Sequence, residues 1–157
     1  KDKQANLVIA LKISDINKPV IIEAPKDATD IEKIGGGALS KVKNKAGNAS
    51  IRANLANIRV QGELYYDDHD SYGSSVTNGS CNTAGTLFAD KLIMESIASI
   101  KKSQGKETVD MKCYSTSQLW AASVALLETD NEKGYWCVDS NGESKLTTKH
   151  ITSTACQ

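Results

Sequence analysis

Four cysteines carry the chemistry that spacing constrains most. Cys81, Cys113, Cys137 and Cys156 stand 32, 24 and 19 residues apart. Zinc cages draw paired ligands from short turns such as Cys-x2-Cys, and no such pair occurs here. With only His69 and His150 as imidazoles, a mixed cage would need four distant segments to converge. An even cysteine number at wide spacing instead points to two disulfides and an oxidising compartment. Three pairings are possible. We favour Cys81 with Cys113 and Cys137 with Cys156, because each then closes a loop between neighbouring elements. In the chain-entropy description such loops contribute about 3–4 kcal/mol each. Four buried free thiols in a cytosolic protein are the alternative.

The other chemistry-bearing residues point away from catalysis. His69 lies in the run Asp67-Asp68-His69-Asp70. A calcium loop alternates its oxygen ligands and bends at a glycine, a pattern this run only half matches. We read it as a solvated helix end, at the negative pole of the helix dipole, with a modest cation affinity as the weaker alternative. Neither histidine has a Gly-x-Ser-x-Gly or cysteine-protease setting beside it, and a nucleophile needs an adjacent base. Gly35-Gly36-Gly37 lacks the Lys-Ser/Thr of a phosphate loop and reads as a hinge. Trp120 and Trp136 fall in strand patterns and read as core. Asn48-Ala49-Ser50 and Asn78-Gly79-Ser80 fit the N-glycosylation pattern, which is frequent by chance. Lys41, Lys43 and Lys45 read as the solvated face of a helix. We expect no enzyme, and no catalytic, cofactor or metal site.

These residues hang on a chain of 157 residues, the length of one domain plus an appendage. With 19 basic against 19 acidic side chains, nucleic acid and anionic membrane surfaces are poor partners, since both are held by excess Lys and Arg. No apolar run approaches the roughly 18–20 residues of a membrane span; Val20-Ile21-Ile22 is typical of the longest. The start at Lys1, without Met or a signal peptide, suggests a processed or trimmed chain.

Alternation over residues 6–13 predicts a strand, and Val20 to Glu23 a second, shorter one. With the glycines at 35–37 as linker, residues 1–37 read as a β-strand appendage and linker. Residues 38–157 then form the main body. Leu39, Val42, Ala46, Ala49, Ala53, Ala56 and Val60 recur at spacings of three and four, beside a second stripe of Ile51, Leu55, Ile58 and Tyr65. Both belong on one helix, about Ala38 to Asp67, weakest at Gly47. Thirty residues at 1.5 Å span roughly 45 Å, so one end should project. Ser74 to Gly85 reads as a polar loop. A second helix is predicted from Thr86 to Lys102, with Phe88, Leu92, Ile93, Ile97 and Ile100 inward and Gly105 closing it. Val109 to Cys113, Trp120 to Leu126 and Tyr135 to Val138 alternate as strands, with turns at Gly134 and Asn141-Gly142. The plan is α+β: a long N-terminal helix packed on an antiparallel meander of three or four strands.

That order, together with particular residues, resembles the type IV pilin and type II secretion pseudopilin family over residues 38–157. The stretch Ile51–Asp68 is similar to the end of the pilin N-terminal helix. It runs into Tyr65-Tyr66 and the turn Asp70-Ser71-Tyr72-Gly73. Tyr135-Trp136-Cys137-Val138-Asp139-Ser140-Asn141-Gly142, followed by a tail to Cys156, resembles the last strand and disulfide-closed loop of such headgroups. The family's apolar N-terminal half-helix and its preceding peptidase site have no counterpart in residues 1–34. Residues 13–25 faintly resemble the last strands of lipid-carrier-like bacterial lipoproteins, a resemblance that implies that residues 1–37 would be the end of a larger upstream domain.

The resemblance implies a non-enzymatic structural or adhesion protein, extracellular or on the cell surface, whose partners are pilin-like subunits or other surface molecules. Its interface would be the exposed half of the long helix at Leu39, Val42 and Ala46. The competing reading is a ligand- or cation-binding module fused to a lipoprotein-like carrier, using the loop Ser71–Asn82 beside the Cys137–Cys156 loop.

Overall fold

Helix α1 runs from Ile31 to His69 in a computed structural model that describes residues 31–157. The strands expected over 6–13 and 20–23, and the lipoprotein-like stretch 13–25, lie outside the described residues. No proline interrupts those 39 residues, which span about 58 Å. The helix includes Gly35-Gly36-Gly37, where the sequence suggested a linker. Each glycine costs about 1 kcal/mol relative to alanine in a helix. That weakens a helix without forbidding it. The helix stops at Asp70, whose left-handed φ of 51° lets its N–H donate to the Tyr66 carbonyl at 2.7 Å.

Of the two apolar stripes on α1, the described residues cover one. Ile51, Leu55 and Ile58 are fully buried, and Tyr65 packs at the edge of the same core. Leu39, Val42, Ala46, Ala49, Ala53, Ala56 and Val60 all face solvent. The bulkier stripe releases more apolar area from water when buried, which accounts for the choice.

After α1 the chain forms the irregular segment 70–86, a single 3-10 turn (Leu87–Ala89) and helix α2 (Lys91–Gln104). The helix begins five residues later than the pattern suggested, because the Asp90 carboxylate caps it, accepting from Leu92 N at 2.9 Å and Ile93 N at 3.2 Å. Gly105 ends it in the left-handed conformation, φ 63°. Phe88 is buried from the 3-10 turn, and Ile93, Ser96, Ile100 and Gln104 form the inner face of α2. Leu92, expected inward, is half exposed. Its position, one residue before Ile93, turns it about 100° off that face.

Four antiparallel strands follow in sequential order: β1 (Met111–Ser115), β2 (Trp120–Ala125), β3 (Tyr135–Asp139) and β4 (Ser144–Thr147). The register pairs Cys113 with Ala122 and Ala122 with Val138, so Met111, Cys113, Trp120, Ala122, Val124 and Val138 share the face turned to the helices. Gly62 of α1 admits the Trp120 indole: a Cβ there would lie 3.1 Å from Cζ2. Phe88 meets the same ring edge-on at 6.1 Å. The opposite face carries Tyr114, Ala121, Ser123, Cys137 and Asp139, and the C-terminal tail covers it through Ile151 and Cys156. Cover on both sides is why Trp120 to Val124 are buried without alternation. Over the described residues the architecture is thus α+β, a long helix and a short one on a four-stranded antiparallel sheet.

Candidate interaction surface

Cys81 is bonded to Cys113 and Cys137 to Cys156, with Cα atoms 5.0 Å and 5.8 Å apart. The first bond ties the 70–86 segment to β1 on the helix side; the second ties the tail to β3 on the other. Two disulfides fit a secreted or extracellular setting. Among the described residues, no helix is long and apolar enough to cross a membrane.

The proposed contact residues stand on the exposed side of α1, with Leu39 70% and Val42 64% exposed and Ala46 also open. What holds this part of the helix is a polar clasp that sequence reading missed. The β2–β3 connection, residues 126–134, turns back along α1. Asn48 pairs with the Leu127 backbone in both directions, at 2.9 Å and 2.8 Å. Asn44 donates to the Glu128 carbonyl at 2.8 Å, and Lys41 reaches Asp130 at 2.8 Å. Arg52 pairs with Glu132 and stacks over the Trp136 ring at 4.2 Å. The Arg52 hydrogen bond, partly opposed by burial and reinforced by Asn48, holds the Glu132 carboxyl below its ordinary value. Asn44, Asn48 and Arg52 are spaced by four, so they share one stripe of the helix. The only advance signal is the placing of two asparagines, poor helix formers, at that interval. Asn48 belongs to one of the two glycosylation triplets, and its burial removes it from modification; Asn78 of the other is exposed.

At the far end of α1, Asp67, Asp68, His69 and Asp70 are exposed. The His69 ring stacks on Tyr65 at 4.1 Å, and its Nδ1 lies 2.9 Å from the Tyr65 carbonyl. His69, Asp68, Asp90, Gln61 and Leu92 border an open pocket of about 260 Å³. Among the described residues, no three His, Cys, Asp or Glu side chains are grouped to hold a metal ion. Close by, the Tyr72 hydroxyl donates to Glu63 at 3.0 Å. Burial, followed by the neighbouring Glu63 carboxylate, pushes the Tyr72 phenol up to about 12.

His150 completes a serine–histidine–aspartate arrangement: Nδ1 is 2.9 Å from Ser123 Oγ and Nε2 is 2.9 Å from Asp110 Oδ1. A carboxylate only accepts, so Nε2 carries the proton and Nδ1 accepts the Ser123 hydroxyl in the neutral ring. The hydroxyl oxygen also accepts the Ile151 N–H at 3.2 Å. Ser123 is fully buried, so no substrate atom reaches it in this conformation. The trio is a tie between tail and sheet. Trp120 lies in the core, whereas Trp136 is half-buried beneath Arg52, its Nε1 donating to Ser144 Oγ at 3.2 Å.

The chain matches no family model, no curated protein and no solved structure.

Proposed function

We propose that this protein is a non-enzymatic structural or adhesion subunit of the extracellular surface, similar to pilin and pseudopilin headgroups, which works through contacts with other subunits. One observation carries the reading. The long helix bears two apolar stripes on opposite sides, and among the described residues only one is covered. A stripe of exposed Leu, Val and Ala along several helical turns is a contact surface for another helix. The disulfides suit an oxidising compartment and, with the resemblance of residues 38–157, support a contact outside the reducing cytosol, while the balanced charge argues against nucleic acid as partner.

Val42→Asp puts a charge into the exposed stripe and leaves the core alone. It should abolish association with partner subunits and change the folding free energy by no more than about 0.5 kcal/mol. Association unchanged from wild type in a pull-down or sedimentation assay refutes the reading.

A second reading, a ligand- or cation-binding module on a lipoprotein-like carrier, draws support from the pocket bordered by Asp68, His69 and Asp90. Calcium titration that releases no heat and leaves the melting temperature unmoved eliminates its cation form.

A further inference from the structure

We infer that Asn78 is a self-modifying residue. The backbone nitrogen of Gly79 displaces its side-chain amide through a succinimide, leaving aspartate or isoaspartate in the segment 70–86. The inference does not depend on the reading of α1 as an interface.

Asn-Gly pairs suit this chemistry because glycine has no Cβ to obstruct the approach of its own nitrogen to the asparagine Cγ. The chain has two such pairs, Asn78-Gly79 and Asn141-Gly142, and both asparagines are exposed. At position 78 the Gly79 N–Cγ bond forms and the Cγ–Nδ2 bond breaks. Solvent relays the Gly79 proton to Nδ2, which leaves as ammonia. Water then opens the ring at either carbonyl, giving the two acids. The dipeptides are identical; the fold separates them.

The segment holding Asn78 runs along the outer edge of β1. Val76 N donates to the Ser115 carbonyl at 2.9 Å and Cys113 N to the Gly79 carbonyl at 3.2 Å, beside the Cys81–Cys113 bond. There Asn78 Oδ1 accepts from Ser80 N at 3.1 Å. The side chain is thereby folded back over Gly79, with Cγ turned towards the nitrogen that attacks. An N–H aimed at the oxygen where negative charge develops is an oxyanion donor. It holds Oδ1 and leaves the departing Nδ2 free. Gly79 N donates to no acceptor among the described residues, so no hydrogen bond has to break first. The Lys112 stem crosses Gly79: a Cβ there would lie 2.7 Å from Cδ and 3.6 Å from Cε. The ammonium, one bond beyond, favours both loss of the Gly79 proton and the oxyanion.

The β3–β4 turn gives Asn141 none of these aids. Gly142 N already donates to the Asp139 carbonyl at 3.2 Å. Among the described residues nothing donates to Asn141 Oδ1, whereas its N–H and that of Glu143 both bond the Asp139 carboxylate at 3.0 Å. Asp139 and Glu143 oppose proton loss from the amide between them. Arg59, which reaches the Gly142 carbonyl at 3.1 Å, offsets only one of the two. The product at position 78 sets a carboxylate beside Lys112. As isoaspartate it also adds a methylene to the backbone between the Val76 and Gly79 anchors.

The test incubates the full, oxidised chain at neutral pH and maps peptides by a method that separates Asn, Asp and isoAsp. Asn78 should convert about fivefold faster than Asn141, a modest share of what an enclosed oxyanion donor supplies. In the reduced chain in urea the two rates should become equal. Equal rates in the folded protein, or a faster Asn141, overturn the inference. A ratio that persists after unfolding also overturns it, because local sequence then accounts for the difference. Lys112→Gln should slow Asn78 about twofold at low salt, with Asn141 as internal control and the melting temperature unchanged; Lys112→Arg should restore the rate. An unchanged ratio in Lys112→Gln overturns the part assigned to that charge.

Discussion

The two faces of the sheet are covered by different means. On the helix side, Phe88, Trp120, Leu55, Ile58 and Ile93 exclude water with large apolar side chains. On the tail side the apolar contribution is small, Ala121 and Ile151 beside the Cys137–Cys156 bond. There the cover is held by covalent and polar ties. Asp139, almost fully buried, accepts from Asn141 N and Glu143 N at 3.0 Å through one oxygen and from Cys156 N at 2.9 Å through the other. His150 bridges Ser123 and Asp110. A segment without regular structure cannot bury a continuous apolar face. It must satisfy its own amides and offset the entropy of being fixed, which explains the disulfide and the buried carboxylate.

Substitutions can separate the two arrangements. The largest expected effect is on the helix side. Phe88→Ala should cost about 3–5 kcal/mol, read as a lowered urea midpoint for the whole molecule. On the tail side, replacing Cys137 and Cys156 together by serine should cost about 3 kcal/mol in the chain-entropy description. The tail should then become open to protease while the helix-side core keeps its near-ultraviolet signal. Loss of both signals together would show that the two faces fold as one unit. Asp139→Ala strands three amide donors and should cost about 2 kcal/mol, with faster amide exchange at Asn141, Glu143 and Cys156. Exchange unchanged at Cys156 would remove Asp139 from the tail's anchorage.

The smallest effect belongs to the clasp on α1 and depends on pH. Glu132 has a depressed folded pKa, so its contribution is present above the unfolded value of 4.5 and is lost as the pH falls through the folded value. Wild type should lose clasp stability on the acid side of 4.5. Arg52→Met should flatten that part of the profile in urea melts taken across acid pH. An identical acid slope in both proteins would show that the pair contributes nothing measurable.

Much of the helix-side architecture could be read from pattern. Spacings of three and four announced α1, Gly105 marked the end of α2, and the β1, β2 and β3 alternations fell where strands form. The start of α2 at Lys91 could not be read so closely, because Thr86 and Asp90 are both plausible caps until packing of the 3-10 turn selects one. The triple glycine invited a linker, yet helix propensity is a weak prior that neighbouring turns can override. Of the candidate surface, Leu39, Val42 and Ala46 were visible as apolar positions on a helix. The clasp by Asn44, Asn48 and Arg52, and the tie made by Ser123, His150 and Asp110, were not. Their partners lie 79 to 84 residues away for Asn48 and Asn44, and 27 and 40 residues for His150. Pairing at that distance leaves no periodic trace.

Local order therefore followed from the sequence alone: which segments coil or extend, where α2 must stop, and that four widely spaced thiols suit an oxidising environment. Those outcomes depend on backbone preference and on repeats of 3.6 or 2 residues, which a linear string contains. Only the tertiary structure decided which of the two stripes on α1 is buried, which sulfurs meet, and that an irregular tail closes the far side of the sheet. Each depends on what happens to lie opposite in space, where burial, hydrogen bonding and covalent reach are tested together.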